Sequence, residues 1–386
     1  MSISPTTAAK LADGIYNVQS ENLLKLFLKK SVFSKKSSEK RSMQAEVGSR
    51  LVSTKDCFGL CAMGGEAYER DIFLIFRGST SANYMADWVS NARIGVEISR
   101  TGLPVHIGFN SIFNSMQPEI KQFLSDHSAK ASTIHCIGHS LGGAVATIAA
   151  DWVKTNSSCT VKLYTFGAPK PGFEPFSRRI STKLGAGNIY RVFHSTDPVP
   201  MIPVYPFMHA PVPGKGIHIK SSEALLTAAA HGMGSYIKSV EEKTWLSAGC
   251  PPPPTAHEKL VEKWLKSDRS LNPFSANTWD WIGAGLEYVL KKIMRGTVAI
   301  IQAPFVGAFT LVDKIAWLLK KGIDLSEEVS SWVLRLMRKI MQVLGMIVVD
   351  SVEKLTRAFM GHILSRMIDR INQEAQRAIR NISNRL

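Results

Sequence analysis

A serine set among glycines constrains this chain more than any other feature. Cys136 to Trp152 reads CIGHSLGGAVATIAADW, with an apolar run at 132–138 before the serine and a helix-forming stretch at 141–155 after it. Gly138-His139-Ser140-Leu141-Gly142 fits G-x-S-x-G, a sharp strand-to-helix turn that leaves a hydroxyl exposed to a reactant. The flanking glycines keep side chains clear of neighbouring backbone, and the helix N-terminus points at the reacting oxygen. The Leu141 N–H would be one oxyanion donor. An ordinary structural turn is the competing reading, and the strand–turn–helix context favours a nucleophile.

The surrounding pattern alternates. DIFLIFRG (71–78), STIHCIG (132–138), VKLYTFGAP (161–169) and IYRVFHS (189–195) read as strands, and 116–126 and 141–155 as helices. That order predicts an α/β class with a mostly parallel sheet covered by helices on both faces. Ligand chemistry in such sheets gathers beyond the carboxyl ends of the strands, where Ser140 and Asp197 fall. Residues 8–30 are predicted helical through Leu11, Ile15, Val18, Leu23, Leu24, Phe27 and Leu28, while the basic, serine-rich 29–42 is predicted loose. The prolines of GCPPPPT, 249–255, cannot continue a helix or an inner strand and predict a stiff linker. Four parts follow: an N-terminal helical and basic segment (1–50) packing on the α/β domain (51–248), the linker (249–255), and a basic helical domain (256–386).

A serine hydroxyl needs a base, and the base needs an orienting carboxylate. In this sheet type the acid follows the serine and the histidine follows the acid. HSTDPVPMIP begins with His194 at a strand end and offers Asp197 in a proline-stiffened turn. His209, His218 and His231 follow it. His209 is only a dozen residues on, His218 alternates with Ile217 and Ile219 like a strand residue, and His231 lies in a small-residue loop before a new helix. His231 is the preferred base. His135 and His139 read as packing or hydrogen-bonding residues, and His106 as a brace for VHIGF.

FRGSTS, VHIGF, GHSLGGA, YTFGAPKPG, HSTDPVPMIP and HGMGSY occur here in the order of the class 3 lipases, across roughly 55–240. The chain resembles that family, which is the α/β-hydrolase group typified by fungal triacylglycerol lipases. The resemblance implies Ser140 as nucleophile, Asp197 as acid and His231 as base. It implies the backbone N–H groups of Ser79 and Leu141 as the oxyanion hole, and Asp87 as a brace near a lid. TSANYMADWVSN, 80–91, would be that lid, with Tyr84 and Trp88 on its apolar face. The family's chemistry requires no metal or cofactor.

Charge bears on the partner. The chain has 47 Lys and Arg against 31 Asp and Glu, a formal charge of +16. Twenty Lys and Arg against thirteen Asp and Glu give 256–386 a net charge of +7. Nucleic-acid signatures are absent, so an anionic lipid surface is the expected partner and nucleic acid is not. The five cysteines are scattered, and Cys57 and Cys61 have no second pair to complete a metal site. The N-terminus lacks a basic stretch followed by an apolar one, so no secretory signal is expected. Family members without one include antibacterial effectors delivered into rival cells, which implies an immunity protein as a partner. The uncharged run 296–312 reads as a buried hairpin in preference to a span, and 330–349 as an interfacial or a core helix. The expected function is a lipase or phospholipase A acting on membrane lipid esters. The alternatives are a neutral glyceride lipase and a membrane-perturbing protein with an inert hydrolase domain.

Overall fold

The computed structural model describes residues 2–19, 21–36, 40–49, 52–79, 95–214, 216–221, 223, 225–250, 255, 257–295 and 310–383. Two helices, α1 (Pro5–Gly14) and α2 (Glu21–Leu28), lead into strands β1 (Lys40–Ser49), β2 (Val52–Met63), β3 (Asp71–Phe76), β4 (Val96–Ile98) and β5 (Pro104–His106). Then come α3 (Ile107–His127), β6 (Thr133–His139), α4 (Leu141–Asn156), β7 (Thr160–Phe166), β8 (Gly172–Phe173), α5 (Glu174–Leu184) and β9 (Ile189–His194). The α/β part closes with β10 (Phe207–Met208), β11 (Ile217–Ile219), α6 (Ala228–His231) and α7 (Met233–Val240). The C-terminal part is helical: α8 (Glu258–Lys266), α9 (Ala276–Arg295), α10 (Leu311–Ile323), α11 (Glu327–Val343) and α12 (Arg357–Ser383).

The main sheet runs β1-β2-β3-β6-β7-β9-β11. The first two pairings are antiparallel and the rest parallel. A small second sheet, β10-β8-β5-β4, lies apart from it. Every residue of β3 and β6 is buried, because a parallel sheet is covered on both faces and its strands read as continuous apolar runs. Alternation divides them between two cores. Ile72, Leu74 and Phe76 pack with Phe113, Val145 and Ala149 of α3 and α4. Phe73 and Ile75 pack on the other face with Leu11, Ile15, Tyr16 and Tyr236.

Two sequence expectations are corrected. The division at residue 50 falls inside a hairpin, since β1 pairs along its whole length with β2 and so belongs to the sheet. The predicted helix 8–30 is broken, with a 3-10 turn at Ile15–Gln19 separating α1 from α2. The C-terminal helices are also more than an appendage. Val261, Leu286, Leu319, Leu336, Leu364 and Met367 belong to the same continuous core as Val145, Ile202 and Phe207 of the α/β part. Each such fully buried side chain contributes about 1.5–3 kcal/mol, so the two parts stabilise each other. Trp332, Val333, Leu336, Ile340 and Val343 are buried, which makes α11 a core helix. Of the proline linker, 251–254 lie outside the described residues, as do 296–309 of the uncharged run. Among the described residues, no helix is long and apolar enough to cross a membrane.

Candidate active site

Ser140 occupies the turn between β6 and α4 with φ 54° and ψ −132°. A non-glycine residue there carries strain of about 1–3 kcal/mol, which persists only where the surroundings over-determine it. They do so here. The Ser140 N–H donates to Phe166 O at 2.9 Å, and Ser140 O accepts from the Gly143 N–H at 2.9 Å. A Cβ on Gly138 would collide with Gly142 O, and one on Gly142 with Phe76 O. Only glycine allows backbone to approach this closely, so the glycines of the motif are explained by packing around the turn.

His231 ends the short helix α6, whose N-cap Thr227 accepts from the Ala229 N–H. Asp197 lies in the turn just past β9, the strand next to β7 in the sheet. The structure brings both to Ser140. The Ser140 hydroxyl donates to His231 Nε2 at 2.9 Å, and His231 Nδ1–H donates to Asp197 Oδ2 at 2.8 Å. Asp197 Oδ2 also accepts from the Tyr236 hydroxyl at 2.7 Å, and Oδ1 from the Val199 N–H at 2.9 Å. All three predicted residues are buried to 1% exposure or less. Because a carboxylate can only accept, Asp197 fixes the imidazole tautomer that leaves Nε2 free to take a proton.

A second ring of side chains holds this arrangement. His139 Nε2–H donates to His231 O at 2.8 Å, and His139 Nδ1 accepts from the Tyr16 hydroxyl at 2.7 Å. Burial, reinforced by the neighbouring His231, holds His139 well below the usual histidine range, so it stays neutral and keeps this donor–acceptor pattern. His194 Nδ1–H donates to Ala230 O at 2.7 Å, tying the strand end to the segment that carries His231. Burial, then the Asp197 charge, pushes the Tyr236 hydroxyl well above the ordinary tyrosine range, which keeps it a donor. His106 caps α3 by accepting from the Gly108 N–H at 3.1 Å, in line with its expected bracing role.

Tyr236 supplies a direct test of this support. Tyr236→Phe removes one donor to Asp197 and the acceptor of the His194 N–H, 3.3 Å away. The expected result is a fall in kcat of about tenfold, the kinetic equivalent of one hydrogen bond to a charged group, with little change in KM. Hydrolysis of a soluble short-chain nitrophenyl ester measures it, and an unaltered kcat would show that the tyrosine does not orient the acid.

Leu141 follows Ser140 directly, and Ser79 follows Gly78, which packs against the turn. The Leu141 N–H belongs to the first turn of α4, where N–H groups have no partner within the helix. Gly78, next to buried Ser79, is so close to the turn that a Cβ on it would lie 3.1 Å from Ser140 Cβ. A backbone donor such as the Leu141 N–H, beside a serine–histidine–carboxylate chain, can stabilise an oxyanion as it forms. The predicted lid residues Tyr84, Asp87 and Trp88 lie outside the described residues. Sequence reasoning gave no role to Tyr16, His194 or Tyr236. Tyr236 stands in the quoted HGMGSY, so it was within reach, whereas Tyr16 is 123 positions from its partner and gave no local signal.

Comparison with known proteins agrees with this geometry. Residues 73–207 match the profile described as lipase (class 3), a stretch that holds Ser79, Ser140, Leu141 and Asp197 and ends before His231. The chain is 33% identical over 169 residues to secreted mono- and diacylglycerol lipase 1 of Fusarium solani, covering 42% of this chain and 48% of that protein. It is 29% identical over 202 residues to phospholipase A1-II 1 of Oryza sativa subsp. indica, covering 44% and 50%. It is 33% identical over 119 residues to toxin TseL of Vibrio cholerae, covering 31% and 17%. The chain thus spans about half the length of the fungal and plant relatives it matches. Residues 73–207 thus match the class 3 lipase profile, and they lie on the mostly parallel α/β sheet that carries the site.

Proposed function

We propose that this protein is a serine carboxylic ester hydrolase that cleaves acyl esters of membrane glycerophospholipids. The observation that carries the chemistry is the unbroken chain from Ser140 Oγ through His231 to Asp197, at 2.9 and 2.8 Å. Ser140 Oγ attacks the ester carbonyl carbon while its proton passes to His231 Nε2. The negative oxygen of the tetrahedral intermediate accepts from the Leu141 and Ser79 N–H groups. His231 then gives the proton to the departing alkoxide oxygen as the ester bond breaks. Water, deprotonated by the same nitrogen, releases the acid and restores Ser140.

The preference for phospholipid rests on charge. The formal charge is +16 over the whole chain, and each Lys or Arg near an anionic bilayer contributes about 1 kcal/mol to docking. The rice relative is named a phospholipase A1. Another relative is named a toxin. On that basis we extend the proposal to attack on the membranes of a target cell, with an inhibitory immunity protein protecting the producer. The Fusarium relative's name favours a second reading, mono- and diacylglycerol as substrate.

Product analysis by mass spectrometry separates the two. Vesicles containing phosphatidylglycerol and diacylglycerol are incubated with the full chain and with Ser140→Ala. Lysophosphatidylglycerol and fatty acid are expected with the full chain alone, and more slowly at high salt, because screening weakens surface attraction. Monoacylglycerol with intact phosphatidylglycerol would select the second reading. Vesicle leakage without any acyl release, unchanged in the variant, would leave the chain as a membrane-perturbing protein.

A further inference from the structure

A cavity of about 470 Å³ lies between the α/β part and the C-terminal helices. Its lining includes Asp197 but neither Ser140 nor His231, so it sits behind the catalytic acid, away from the reacting hydroxyl. Its size falls within the roughly 300–1,000 Å³ of small-molecule sites. We propose that it binds a long-chain carboxylate, a free fatty acid, with the head at Lys170 and the chain along Leu286, Met367 and Ile371.

The helical side supplies an apolar strip, Ile282 and Leu286 from α9 and Met367 and Ile371 from α12, beside the charged Glu258, Asp280, Glu287 and Lys291. The α/β side presents the cations Lys170 and Arg191. Among the described residues, Lys170 makes one side-chain hydrogen bond, to Met201 O at 2.8 Å, which leaves ammonium N–H directions for a ligand. Burial pulls its pKa down to about 8, so it remains largely charged at neutral pH. Glu287 and Asp280 favour that charge and Arg191 disfavours it, and an entering anion would favour it further. His209 adds no charge, since burial and these two cations hold it well below the usual histidine range.

The lining also holds the acids Asp197, Glu258, Asp280 and Glu287. Glu287 is engaged by Lys291 at 2.6 Å and Asp197 by His231 at 2.8 Å. Asp280 faces the Lys170 charge from α9, and burial raises its pKa to about 7, so near neutrality it holds only part of its negative charge. A monovalent carboxylate matches this remainder better than a phosphate monoester, whose second charge would oppose Asp280. A single acyl chain also suits the one apolar strip formed by Ile282, Leu286, Met367 and Ile371. Such a carboxylate is what the proposed reaction releases; that reading bears only on the ligand's source, and binding is testable without turnover.

The test uses full-length Ser140→Ala protein titrated with cis-parinaric acid, a fluorescent long-chain carboxylate. Saturable binding displaced by palmitate is expected. Lys170→Met should weaken it about tenfold, as for loss of a charge-assisted hydrogen bond, and Lys170→Arg should retain it. Met367→Trp, which fills the chain end, should remove saturable binding. The proposal is overturned if both Lys170→Met and Met367→Trp bind like the parent protein. Displacement by hexadecanol as effective as by palmitate would overturn it too, because the charged head would then play no part. So would displacement by lysophosphatidate and not by palmitate. The competition arms need no cavity variant, so they decide the matter even if Lys170→Met does not fold.

Discussion

Ser140→Ala lowers acyl-ester turnover about a millionfold, the loss expected when the nucleophile of a serine–histidine–acid unit is removed. The reason is geometric. His231 Nε2 has the Ser140 hydroxyl 2.9 Å away, and Asp197 secures the other side of the ring. Alanine leaves the imidazole oriented with nothing to deprotonate, and only the backbone donors and substrate binding still favour the transition state. Ser140→Gly makes a sharper test, because it loses the same activity and relieves the backbone. With φ at 54°, glycine removes strain of about 1–3 kcal/mol, less the added entropy of a glycine in the unfolded chain. Urea unfolding of the two variants measures the difference. Ser140→Gly is expected to be the more stable, and the opposite order would mean that the turn is not strained. Retained turnover in either variant would remove Ser140 from the chemistry.

Asp197→Asn lowers kcat about ten-thousandfold. The carboxylate accepts three hydrogen bonds, from His231 Nδ1–H and the Tyr236 hydroxyl on Oδ2 and from the Val199 N–H on Oδ1. Asparagine has one acceptor oxygen and one NH2 group. If its oxygen faces His231 and Tyr236, its NH2 opposes the Val199 N–H, donor against donor. If it is flipped, the NH2 faces Nδ1 and favours the tautomer with the proton on Nε2, which cannot receive the serine proton. Either placement also leaves a buried donor unsatisfied, at about 1–3 kcal/mol. Activity against a soluble ester and thermal unfolding should therefore both fall. Wild-type kcat in Asp197→Asn would mean that another group orients the base.

How much of this was legible depends on the range of the forces involved. β3, β6, β7 and β9 lie within three residues of the predicted runs, because inner parallel strands announce themselves as largely apolar stretches. β1 did not. Its Met43 and Ala45 are buried while Arg41, Ser42 and Gln44 are exposed, and its register shifts between Met43 and Gln44. A polar, irregular edge strand resembles a loop in sequence because edges are made unattractive to further pairing. The apolar side of 330–349 was visible in the sequence. That pattern left an interfacial and a core helix open, and did not show burial against the same core as Ile202 and Phe207.

By itself, then, the amino-acid order determined the strand–turn–helix around Ser140, the parallel sheet and the chain order of nucleophile, acid and base. Those features arise from steric and burial rules acting over a few neighbouring residues. Only the tertiary structure decided that His231, and neither His209 nor His218, reaches Ser140. His209 instead donates to Pro200 O at 2.8 Å, and His218 stays on β11. It also decided that Tyr16, from the far end of the chain, reaches His139 Nδ1, and that a cavity opens behind Asp197. Such meetings depend on how whole apolar faces fit together across the molecule, and no local spacing records that fit.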